Sequence, residues 1–138
     1  MKKLCKRLGS FLCACILLAA GIGEAFAGSS ESSTYAGVGW NGNSSISIDY
    51  ARGTTSVERS TVYNDTSYVK VFVDALWLGQ EQSYQNECQN KPNENYTWAA
   101  IELSSTLFGN HMISIASQHR IKLSGYAWTD WIYTGALY

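Results

Sequence analysis

Few residues in this 138-residue chain are of types that do chemistry, and their spacing limits what they can do together. Only two histidines occur, His111 and His119, eight residues apart. On an extended strand that separation is about 26 Å, too wide for two imidazoles to share a metal ion. Either could act singly as a general base, but no Ser in a Gly-x-Ser-x-Gly turn accompanies them. Each therefore reads as a hydrogen-bonded strand histidine. The acidic residues are scattered singly, and a paired-carboxylate glycosidase site depends on contacts that a linear pattern does not reveal. No catalytic residue, metal site or cofactor is implied. A hydrolase would need His111 or His119 to meet an acidic residue and a hydroxyl in one pocket.

Aromatic side chains are the stronger signal: five Trp and nine Tyr, all beyond residue 27. Trp40, Trp98, Trp128 and Trp131 lie among polar neighbours, and flat rings exposed on a sheet can stack on sugars or form an interface. The competing reading is that they fill a core poor in Leu, as aromatics do in β-rich domains. Trp128-Thr129-Asp130-Trp131, with Tyr126 just before it, is the best single patch. Strand alternation would send Trp128 and Trp131 to opposite faces, so at least one leaves the core unless packed sheets cover both faces. The ligand-binding candidates are thus Trp40, Trp98, Trp128, Trp131 and Tyr126.

Placing these residues begins with the N-terminus. Lys2, Lys3, Lys6 and Arg7 form a basic region, Phe11 to Gly23 an apolar run, and Ala25-Phe26-Ala27 a small-x-small cleavage signature, so residues 1–27 read as a signal peptide. The apolar run of 13 residues is short of the roughly 20 that span a bilayer. The protein is expected to be secreted, with no transmembrane segment after cleavage. The remaining 111 residues carry six basic and ten acidic side chains, a net charge of −4 that disfavours nucleic acid as a partner.

Three of the four cysteines, Cys5, Cys13 and Cys15, leave with the leader. Only Cys88 remains, which excludes an intramolecular disulfide and a multi-Cys zinc site. It reads as an idle thiol, or as the link of a disulfide-bonded homodimer.

Residues 28–34, mostly Gly and Ser, read as a flexible arm, and residues 35–138 as one domain. Ser45 to Tyr50 alternates with period two, and Thr61-Val62-Tyr63 precedes the turn-prone Asn64-Asp65. Ser67 to Leu78 is the strongest strand: Val69, Val71, Val73, Ala75 and Trp77 share the core face, while Tyr68, Lys70, Phe72 and Asp74 share a half-wet one. Residues 79–95 are so polar that they read as a long loop. Alternation resumes at Tyr96 to Leu103. Further on, His111, Ile113, Ile115, Ser117, His119, Ile121 and Leu123 share one face. Without a convincing amphipathic helix after the leader, the pattern points to an all-β fold, an antiparallel sandwich or small barrel, and is taken as a small antiparallel β-sandwich of six to seven strands.

The order Gly39-Trp40, Ser45, Ser47, Tyr50, Ser60-Thr61-Val62, Asn64, Ala75-Leu76-Trp77 resembles the lactococcin 972-type secreted bacteriocins over about 40 residues. The resemblance implies an exported β-sandwich without disulfides that binds a cell-wall precursor and blocks septum formation. Where that family has a His-rich segment, this chain has Ala51-Arg52-Gly53. The combined expectation is a non-enzymatic exported sandwich that recognises a cell-surface or cell-wall component. The alternative is a structural or adhesive surface protein acting by self-association through strand edges.

Overall fold

The computed structural model describes residues 28–58, 65–90 and 94–138; the expected leader and the segment Thr61-Val62-Tyr63 lie outside them. Eight strands follow in order: β1 (Gly28–Tyr35), β2 (Val38–Ile46), β3 (Tyr50–Val57), β4 (Thr66–Trp77), β5 (Gln80–Gln89), β6 (Tyr96–Glu102), β7 (His111–Lys122) and β8 (Ile132–Leu137). They form two antiparallel four-stranded sheets, ordered β1-β2-β3-β6 and β5-β4-β7-β8. The sheets pack face to face, with β2 and β3 against β7 and β4, so the all-β sandwich is realised with eight strands. Among the described residues no helix is long and apolar enough to cross a membrane.

β4 lies inside its sheet between β5 and β7, which is why its alternation was the clearest in the chain. Val69, Val71, Val73 and Ala75 are fully buried, and each valine contributes roughly 1.5–3 kcal/mol of burial. On the opposite face Tyr68, Lys70 and Phe72 are half-buried. Asp74, on that same face, is buried; it accepts hydrogen bonds from Ser83 Oγ at 2.6 Å and Ser114 Oγ at 3.2 Å.

Two segments differ from the sequence reading because edge strands need little apolar surface. The expected flexible arm is β1, paired with β2 from Gly28↔Ser45 to Tyr35↔Val38. The expected loop over 79–95 is largely β5, paired with β4 from Trp77↔Gln80 to Tyr68↔Gln89. Main-chain bonding holds both to an inner neighbour, and β5 adds only Tyr84 and Cys88 to the core.

Both hairpins turn on two residues with positive φ, Ala36 (48°) with Gly37 (76°) and Leu78 (49°) with Gly79 (72°). That is the mirror-image geometry matching strand twist, and it normally calls on Asn or Gly at the first position. A Leu at φ 49° is strained, and this side chain is also exposed. Leu78→Asn should therefore raise stability by about 0.5–1 kcal/mol, read as a higher urea midpoint; an unchanged or lower midpoint contradicts the strain argument.

β7 breaks the expected parity. Its register with β4 shifts between Asp74 and Ala75: Asp74 faces Ser114 while Ala75 faces Met112, leaving Ile113 as a bulge residue. The bulge puts Met112 in the core beside Ile115 and turns His111 and Ile113 off the face shared by Ser117, His119 and Ile121.

The core has two apolar clusters. One joins Ile46, Ala51, the β4 residues, Met112 and Ile115; the other joins Trp40, Val57, Ile121 and Leu123. Between them, three inner strands and the edge strand β8 contribute small or polar residues: Gly42 and Ser44 on β2, Gly53 and Thr55 on β3, Ser117 and His119 on β7, and Thr134 on β8.

Candidate functional site

That polar layer is a single hydrogen-bonded chain whose direction follows from counting protons. Thr55 Oγ1 donates its one hydrogen to the Tyr68 carbonyl at 2.9 Å, so toward His119 it can only accept. His119 Nδ1–H therefore donates to Thr55 Oγ1 at 2.8 Å. Nε2, the acceptor of a neutral ring, receives the Thr134 hydroxyl at 2.8 Å. Ser44 then donates to Thr134, and Ser117 donates to Ser44 at 2.7 Å. Burial lowers the imidazole pKa to about 3, since no counter-charge replaces the lost water. Among the described residues His119 meets hydroxyls but no carboxylate, and since it is 0% and Thr134 2% exposed, the arrangement offers a substrate no path. His111 lies apart and pairs with the Gly109 carbonyl at 2.8 Å. Among the described residues no group of three or more His, Cys, Asp or Glu is placed to hold a metal ion.

The aromatic candidates separate into three environments. Trp40 is 2% exposed within the second core cluster, which corrects its reading as a ligand-binding residue: inner-face parity on β2 buries it. Tyr126 is exposed on the turn after β7, edge-on to Tyr35 at 5.8 Å, and the Tyr35 hydroxyl donates to the Ala127 carbonyl.

Trp128 and Trp131 do not diverge as strand alternation required. Residues 123–131 are not a regular strand: Gly125 has positive φ, Trp128 makes one bridge with Lys122, and Ile121 exchanges bonds with Thr129. Freed from alternation, both indoles close on one cation. The Arg120 guanidinium carbon lies 4.2 Å from the Trp131 ring centroid, 4.5 Å from Trp128 and 5.3 Å from Tyr68, its cross-strand neighbour on β4. Tyr68 also meets Trp131 edge-on at 5.5 Å. Tyr68 donates its hydroxyl to Glu87 at 2.7 Å; burial first, then that bond, push the phenol up to about 12, with Arg120 pulling the other way. Glu87 is held below its ordinary value by the Tyr68 hydroxyl and then by Lys70, 3.5 Å away.

Trp98 is the most open of the four candidate tryptophans. It sits on β6, the free edge of the first sheet, 46% exposed, with the Arg52 guanidinium 5.0 Å above its ring. Tyr96 precedes it on the same face, equally exposed. β6 faces β5, the free edge of the second sheet, across a cleft of about 640 Å³ lined by Trp98, Tyr96, Cys88, Gln89, Glu87 and Glu94 among others. Asn86 reaches across from β5 and donates to the Ala100 carbonyl at 2.9 Å. Asn90, also in the lining, is committed to the fold: it accepts from Ser67 and donates to the Glu94 carbonyl. Cys88 is a free, half-buried thiol on the core-facing side of β5, opposite Val69.

Arg120, Tyr68, Tyr96 and Arg52 were not singled out from the sequence. Their roles depend on cross-strand register, which a linear pattern carries only as two alternating runs of unknown partners. Neither a protein-family model nor a curated protein matches the chain at a significant level.

Proposed function

We propose that the domain is a non-enzymatic recognition module that binds a glycan of a cell surface or wall in the cleft between β5 and β6. The observation that carries this reading is the pairing of two exposed rings, Trp98 and Tyr96, with polar side chains in one cleft of about 640 Å³. That volume falls within the range of small-molecule sites. A sugar ring presents C–H faces that pack on aromatic planes and a rim of hydroxyls that need amide or carboxylate partners. Trp98 and Tyr96 supply the planes; Gln89 and Glu94, both exposed, supply the partners. The backbone edges of β5 and β6 add further donors and acceptors along the cleft.

The leader read at residues 1–27 supports this assignment, because it would bring the domain to surface polymers. The resemblance to secreted bacteriocins points the same way, with antagonism of a neighbouring cell as the outcome of binding.

The test is retention of the protein on isolated cell walls and on soluble wall saccharides, followed by titration. Trp98→Ala should weaken binding by at least about tenfold, since a lost ring at the centre of a small site is a hot-spot loss. Its melting temperature should stay close to that of the wild type, because Trp98 is on the outer face. Equal binding by Trp98→Ala and wild type would remove the cleft from the mechanism.

A further inference from the structure

The aromatic setting of Arg120 is more than a way of fastening residues 123–131 to β7. Three rings occupy the space around the guanidinium, and cation–ring attraction acts on its faces. Stacking leaves the in-plane N–H donors to be satisfied by something else. Nε is buried without an acceptor, and among the described residues no carboxylate pairs with this cation. Glu87, the acidic group nearest in the network, is already engaged by the Tyr68 hydroxyl and Lys70. An unpaired charged donor held out of water is costly, and the planar fork of an arginine matches the two oxygens of a carboxylate or phosphate.

We propose that Arg120, walled by Tyr68, Trp128 and Trp131, is a binding site for an oxyanion carried on a polyol, such as a uronate carboxylate or a glycerol phosphate. The rings play two parts. They hold the guanidinium in one orientation, which reduces the entropy lost on binding, and they offer apolar surface to the carbon skeleton beside the anion. The net charge of −4 beyond the leader means that the field of the whole domain does not gather polyanions; recognition rests on the local fork. The site is on the outer face of the β5-β4-β7-β8 sheet, whereas Trp98 is on the other sheet, so it does not depend on the cleft reading.

Tryptophan fluorescence of the protein, titrated with glucuronate, glycerol 3-phosphate and glucose at matched ionic strength, tests it, since two of the reporting indoles form the walls. A saturable change with either anion, with glucose silent once Trp98 is replaced by Ala, is the expected result, and which anion responds identifies the source of the charge. Arg120→Lys should weaken the response about tenfold by losing the fork while keeping the charge, and Arg120→Met should abolish it. Trp98→Ala should respond to the anion as the wild type does, which separates this site from the cleft. Should Arg120→Met fail to fold, the Lys variant alone decides. No saturable response to either anion, an equal response to glucose in Trp98→Ala, or an undiminished response in folded Arg120→Lys and Arg120→Met overturns the proposal.

Discussion

As pH falls from about 6.5 to 5 the folded protein should lose stability through one residue, His119, at about 0.7 kcal/mol per pH unit at first and approaching about 1.4 by pH 5. The unfolded chain takes up a proton near the ordinary histidine value of about 6.5, whereas burial lowers the folded value to about 3. A base depressed in this way contributes its full stability above the unfolded value. The contribution drains away as pH falls, because only the unfolded state binds the proton. The hydroxyl chain can reverse its direction to accept Nε2–H, but none of its members, Thr55, Thr134, Ser44 or Ser117, supplies a negative charge. Urea unfolding at pH 7, 6 and 5 checks this. His119→Gln should be less stable at pH 7, by about 1–3 kcal/mol for the lost bonds, yet nearly flat over the same interval, so that the two curves converge on acidification. Parallel slopes would place the proton uptake elsewhere.

The same residue shows how far sequence reading reaches. The strand at His119 followed from alternation, and its ring is hydrogen-bonded there as a strand histidine commonly is. What the spacing did not contain was the bulge at Ile113, which divides β7 into two parities and decides that Met112 and His119 both point inward. β4 was legible because burial forces Val at alternate positions; β1 and β5 were not, because edge strands are held by main-chain bonds that leave little trace in side-chain type. The turns that would have announced them use Ala-Gly and Leu-Gly rather than Asn-Gly.

Among the candidate tryptophans, polar neighbours coincide with exposure at Trp98 and with half-burial at Trp128 and Trp131, but not at Trp40, which is buried. Polar neighbours along a strand say nothing about the face a tryptophan takes when the inner face itself carries Gly and Ser. Interrupted apolar alternation at the middle of β2, β3 and β7 was the available sign of the polar layer. Three strands each replacing large apolar residues by Gly, Ser, Thr or His at matching inner positions leave room for one shared polar group.

The room is set by glycine, and Gly42→Ala should be among the most damaging small substitutions in the chain. A Cβ there would fall 2.5 Å from both Cγ and Cδ2 of His119 and 2.9 Å from Nε2. The ring cannot retreat while Thr55 holds Nδ1 and Thr134 holds Nε2. Either the sheets separate locally or the hydroxyl chain breaks. Overpacking costs about 1–3 kcal/mol and stranded buried donors a similar amount, so a loss of about 3 kcal/mol or more is expected in urea unfolding. Lost backbone freedom in the unfolded chain would by itself favour alanine, which makes a large loss attributable to the clash. A double-mutant cycle isolates the pair. His119→Ala should cost about 2–4 kcal/mol in the wild type through the cavity and the orphaned threonines, but considerably less in the Gly42→Ala background, where the new methyl occupies space the ring gave up. Additive losses would mean that Gly42 and His119 are destabilised through separate parts of the core, and the polar layer would no longer be one packed unit.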